Sequence, residues 1–211
     1  MGKREFRKHL KADVDAVRFG TNGSIIYDKW LEDNYSLEMA PVVTEQLADG
    51  NYKVRAEIIL FLSKVHEHSV VDTIRNLDIE DSYVVGIACI DYFSQVLDGD
   101  DRVYALLGMF DRCINNDLNY EIALNLGDLV GPQHRDFISS LYDRMPASKK
   151  VFLQKLLDKI DGKTDTVDFL DVEVDNSEYI NKTGVGRMLV QKEFKGLLDK
   201  ALYHIRLGIW N

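Results

Sequence analysis

The stretch from Asp81 to Leu97, DSYVVGIACIDYFSQVL, narrows the possible folds more than any other part of the chain. Laid out at helical spacing it is apolar around most of its circumference, broken by one narrow polar line through Asp91 and Gln95. A helix with that pattern is buried on several sides rather than resting on a surface. The stretches before and after it look like weaker copies, so the spacing predicts a fold built by repetition.

Taken in order, residues 3–18 read as a helix through Phe6, Leu10, Val14 and Val17, with Lys3, Arg4, Arg7, Lys8 and Lys11 as a charged outer face. Gly20-Thr21-Asn22-Gly23 breaks it, and Ser24 is placed to cap a helix through Ile25, Ile26, Trp30 and Leu31. From Ser36 the text becomes a series of helical hairpins. The first runs through Met39, Val42, Val43 and Leu47, with Pro41 near its first turn, and 51–65 follows the turn at Asp49-Gly50-Asn51. Next come 68–78, the opening stretch, a turn at 98–101, a helix over 103–114, and its partner over 117–130. Gly131-Pro132 stops that helix, and 133–144 with 148–160 make the last pair.

The second helices of these pairs begin near 52, 83, 118 and 148, a period of roughly 30–35 residues. Periods of this length mark stacked helical units, because one hairpin cannot bury its apolar face alone. An irregular helical bundle would show similar periodicity. At Val54-Arg55-x-x-Ile58-x-x-x-Leu62 the chain resembles the second helix of a HEAT repeat. Val84-Val85-x-x-Ala88-x-x-x-Tyr92 keeps the spacing but has Val85 where the arginine would be. The resemblance covers about 36–160 and implies an all-α fold: a short right-handed solenoid of HEAT-like hairpins, preceded by N-terminal helices over 1–35.

After Ile160 the character changes. Residues 161–179 hold Asp161, Asp165, Asp168, Asp171, Glu173, Asp175 and Glu178 against the single cation Lys163. Carboxylates this dense repel one another and belong in solvent or opposite a basic partner. Val167 to Val174 partly alternates and reads as extended or as a short strand. The last part, 180–211, predicts an amphipathic helix over 187–207 that caps the open end of the solenoid.

Chemistry is hard to find in this text. His66-Glu67-His68 is its one compact cluster of metal-ligand types. The HEAT-repeat deoxyhypusine hydroxylases hold two irons with several His-Glu pairs, whereas His9, His134 and His204 here have no adjacent glutamate. A helix C-terminus that favours histidine explains the cluster better. Gly184-Val185-Gly186-Arg187 lacks the rest of a nucleotide fingerprint, and Cys89 and Cys113 sit inside apolar pattern as small core residues. The predicted protein therefore has no cofactor, no metal site and no catalytic residues.

The formal charge is −9, from 35 acids against 26 bases, which is the wrong sign for DNA or RNA, whose phosphates need a basic face. Acidity mostly confers solubility. It also suits a basic partner: Asp91, Glu121 and Asp128, with the amide of Gln95, on the candidate inner helices, and Asp165, Asp168, Asp171, Glu173 and Asp175 in the tail, would present a face rich in carboxylates. Tyr83, Tyr92 and Tyr120 are interspersed among them as candidate anchors. In size, charge and helical text the chain is similar to bacterial immunity proteins of contact-dependent growth inhibition systems. That resemblance implies a non-enzymatic inhibitor that binds a basic toxin, a nuclease and in first place an RNase, one to one and covers its active site. A general HEAT-like scaffold for complex assembly is the alternative. A charged N-terminus without an apolar core segment, and no apolar run near the ~20 residues of a membrane helix, predict a cytoplasmic protein that binds no membrane.

Overall fold

The computed structural model describes residues 2–21, 23–79, 82–169 and 172. These belong to one compact unit, 1–174; a second unit, 175–211, lies outside the described residues. The described residues are all-helical, with no strand among them.

Helix α1 (Lys3–Phe19) buries Phe6, Leu10, Val14 and Val17, one residue per turn, as the spacing predicts. Gly20 ends it in the left-handed region at φ 68°, where a side chain would be strained. The next segment departs from expectation. A 3-10 turn, Ile25–Tyr27, comes first, and the helix itself, α2 (Lys29–Asp33), is capped by Asp28, whose carboxylate accepts from the Trp30 and Leu31 amides. Ser24 caps nothing and instead donates to Glu57 Oε2 at 2.6 Å. The expected helix from Ser36 is likewise broken into a 3-10 turn, α3 (Ala40–Thr44) and another 3-10 turn, with Pro41 in the first turn of α3.

The remaining helices are α4 (Tyr52–Lys64), α5 (Val71–Arg75), α6 (Tyr83–Val96), α7 (Gly99–Arg112), α8 (Asn116–Gly127), α9 (Arg135–Arg144) and α10 (Ala147–Ile160). The long second helices thus begin at Tyr52, Tyr83, Asn116 and Ala147, in steps of 31, 33 and 31 residues. Side-chain caps set three of these starts: Asn51 accepts from the Lys53 amide, Ser82 from Val85, and Asn115 from Asp117 and Leu118. The fourth follows Pro146. The four pack in series, α4 on α6, α6 on α8, and α8 on α10. Helix α7 lies against α5, α6 and α8, and α9 lies against α10.

Helix α6 occupies the middle of this series, and Val85, Gly86, Ala88, Cys89, Ile90, Tyr92, Phe93 and Val96 are all buried. Glycine inside a helix normally costs about 0.5–1 kcal/mol relative to alanine. Here Gly86 allows close approach: a Cβ on it would stand 2.2 Å from Leu118 Cδ2 of α8.

Four cations tie the pairs together. Lys64 Nζ donates to the Ile26 carbonyl at 2.7 Å, and Lys149 Nζ to the Phe110 and Asp111 carbonyls at 2.6 and 3.1 Å. Arg112 donates to the Arg75 carbonyl and Lys159 to the Gly127 carbonyl. Three of these four cations serve the carbonyl-rich end of an earlier helix, α5, α7 or α8, where acceptors lack partners within the helix and the dipole favours a cation.

Candidate partner-binding surface

The residues that the core leaves open on α4, α6, α8 and α10 recur at helical spacing. On α6 they include Val84, Ile87, Asp91 and Gln95; on α8 and its C-cap they include Asp117, Glu121, Leu124 and Asp128. Spacings of three and four residues place each set in one stripe along its helix. On α4 the same positions are Lys53, Glu57, Leu60 and Lys64. The polar line expected through Asp91 and Gln95 is therefore an open stripe on α6, and its counterpart on the adjacent α8 carries three carboxylates. Asp117 belongs to this set but was not among the candidates. Its distance of one turn from Glu121 is the signal that could have found it.

The polar side chains of these stripes differ in how they are held. Asp91 is half-buried and accepts from Ser63 Oγ of α4 at 2.7 Å. Gln95 is exposed, and its backbone carbonyl lies 3.2 Å from His66 Nδ1. Glu121 is half-buried, while the Asp128 side chain is fully exposed, with Lys159 Nζ 3.9 Å away.

The acidic segment does not project freely from α10. Phe169 is buried at 1% exposure, with its ring centroid 5.9 Å from Phe152 of α10 and 6.1 Å from Tyr120 of α8. Val167 sits over Gly127, 3.4 Å from where a Cβ would be. Two apolar residues two apart thus hold the backbone against α8, and Asp165 and Asp168 remain exposed. This places Asp165 and Asp168 on a segment that contacts α8 beside Glu121 and Asp128. Asp161, by contrast, accepts from Arg135 Nε at 2.7 Å and Asp158 from Lys163 at 2.7 Å. These cations hold both carboxyls below the usual range. Asp171, Glu173 and Asp175 lie outside the described residues, as do Gly184 to Arg187 and the expected capping helix.

Two of the expected aromatic anchors have other roles. Tyr92 is fully buried and donates its hydroxyl to the Glu67 carbonyl. Tyr120 is half-buried in the ring cluster with Phe152 and Phe169. Both face inward because their helices are packed on more than one side.

The His66-Glu67-His68 cluster is a helix stop. His66 adopts a left-handed φ of 50°, its amide donates to the Ser63 carbonyl at 3.0 Å, and the Glu67 amide donates to Leu62 at 3.0 Å. This pair of bonds is the Schellman arrangement, usually completed by glycine. The Glu67 carboxylate is buried, which alone would raise its pKa. The Ser69 hydroxyl and amide and the Tyr35 hydroxyl, 2.6 Å away, outweigh that and hold it below the ordinary value. Among the described residues no group of three or more His, Cys, Asp or Glu is arranged to hold a metal ion. Burial pushes the Cys89 thiol up to about 12, so it stays protonated at neutral pH.

A carboxyl pair unanticipated from the sequence joins α1 to α2. Burial, and then the neighbouring Asp28, raise Asp13 to about 7, while a hydrogen bond from Asp13 lowers Asp28. His9 stacks on Trp30 beside them, with centroids 3.7 Å apart.

The chain matches no protein-family model, no curated protein and no solved structure. No helix among the described residues is long and apolar enough to cross a membrane.

Proposed function

We propose that this is a cytoplasmic, non-catalytic immunity protein that captures a basic toxin, a nuclease domain, one to one and covers its active site. In this reading α3 to α10 form a short right-handed solenoid of HEAT-like hairpins, and the acidic stripe of α8 with the following segment is the capture surface. The observation that carries it is the docking of the segment by Phe169 and Val167. It puts Asp165 and Asp168, both exposed, on a segment packed against the helix that carries Glu121 and precedes Asp128. An excess of carboxylates on one face attracts a basic surface and speeds encounter with it. The consecutive packing of α4, α6, α8 and α10 at a 31–33-residue step supports the solenoid.

The test is capture by the tagged full chain from its own host at low and high salt, followed by nuclease assay of what is retained. A single small basic nuclease, held at low salt and inhibited when bound, is expected. Changing Glu121, Asp165 and Asp168 together to lysine should weaken its binding at least a hundredfold and leave the melting temperature within a few degrees. Capture of several unrelated subunits without inhibition, or binding indifferent to both salt and the substitutions, would refute the reading.

A further inference from the structure

A second surface, on α7 and α9, carries an aromatic pair beside a fixed and un-neutralised carboxylate. Tyr104 of α7 and Phe137 of α9 are 41% and 39% exposed, with centroids 5.4 Å apart and rings at 80°. Behind them His134 is fully buried, 5.6 Å from the Tyr104 ring centroid. Its Nδ1 accepts from the Gly131 amide at 3.0 Å, so the ring proton lies on Nε2 and is donated to Asp100 Oδ1 at 3.0 Å. Gln133 Nε2 donates to the same oxygen at 3.2 Å.

The partners of Asp100 matter because of their charge. Glu45, Asp111 and Asp161 each face an arginine at 2.7–3.1 Å. Asp100 is positioned by an amide and a neutral imidazole, which orient the carboxylate without cancelling its charge. Both bonds fall on Oδ1, and no bond reaches Oδ2 among the described residues. The Gln133 and His134 donors hold the carboxyl below its usual range, so it is ionised at neutral pH. A planar cation can stack on one aromatic face while its N–H groups reach a neighbouring carboxylate, a combination that suits arginine better than lysine.

We propose that the Asp100–Tyr104–Phe137 corner receives an arginine side chain of the basic protein partner, its guanidinium on the aromatic pair and its N–H groups on Asp100. This rests on the reading that the partner is a basic protein, and adds a second contact remote in sequence from the acidic segment.

The experiment is a titration of the isotope-labelled full chain with acetyl-hexaarginine amide, followed by NMR, with hexalysine in parallel. Saturable shifts of the Tyr104 and Phe137 ring signals are expected, stronger for arginine. Asp100→Asn retains Oδ1 as an acceptor for Gln133 and His134, so it preserves the fold while removing the charge; it should weaken the interaction at least fivefold, as should Tyr104→Ser. Shifts confined to the surroundings of Glu121, Asp165 and Asp168, or affinities unchanged in both variants, would overturn the proposal. The two readings fail separately. A captured nuclease whose affinity ignores Asp100→Asn and Tyr104→Ser refutes the corner and leaves the acidic surface standing. If no basic partner is captured, the partner reading fails while the peptide titration still decides the corner.

Discussion

Replacing Phe169 by alanine should release the acidic segment from α8 while the helices remain folded. The ring is 1% exposed and lies between Phe152 and Tyr120. Truncating a buried phenylalanine costs about 3–5 kcal/mol when the surroundings cannot collapse. Detachment returns the conformational entropy of the segment's backbone, so the net docking energy is smaller than the ring's own contribution. Once the ring is gone, detachment becomes cheaper than holding the cavity open, and global stability loses only that smaller net value. Side-chain NMR separates the two cases: the Val167 methyl signals should move to random-coil positions in the variant while the α8 and α10 amides keep their protection from exchange. If the Val167 signals do not move, or if the denaturation midpoint falls by the full cost of a core cavity, the segment is not a locally docked strap and the account of its placement is wrong.

Other substitutions test the interior and the helix ends. Ala88→Asp puts an unpaired carboxylate into α6 at a position 1% exposed, and should cost several kcal/mol; an unaltered melting temperature would show that the helix is not enclosed. Lys149→Met keeps the stem but leaves the Phe110 and Asp111 carbonyls without their cation, and should cost about 2 kcal/mol in chemical denaturation, with a gain in stability counting against the capping role. Asp13, raised to about 7 from an ordinary 3.8, binds its proton more tightly in the folded state, so stability falls as pH rises from about 4 to about 7 and stays lower above that. Asp13→Asn should flatten this decline and stabilise the protein at pH 8 by about 1 kcal/mol. That figure is well below the full shift, because the opposite shift of Asp28 partly cancels it and Asp13 as a residue is only half-buried. Parallel stability curves for the two proteins between pH 4.5 and 8.5 would refute it.

The long helices were legible because their signals are local. Expected starts near 52, 83, 118 and 148 became Tyr52, Tyr83, Asn116 and Ala147, since apolar spacing and capping residues are written within a few positions of each other. The short elements between Ser24 and Ala48 were read as continuous helices because their breaks depend on distant partners: Ser24 is drawn to Glu57, and Asp28 supplies the cap instead. The polar line on α6 emerged as an open stripe, whereas Tyr92 looked like an anchor and proved to be core. Helical spacing alone does not say how many sides of a helix are covered. The contact between Phe169 and Tyr120 joins residues 49 apart and left no mark that periodicity could detect.

Lys64, Arg112, Lys149 and Lys159 each grip a carbonyl 32 to 39 residues earlier in the chain. A grip of that kind works as a length gauge. Adding or deleting a residue inside one of the helices of such a span turns the rest of that helix by about 100°, so the charged tip swings away from its acceptor. Side chains in the apolar interior can be exchanged for others of similar volume with modest loss, but the helical register that aims these four cations has no such latitude.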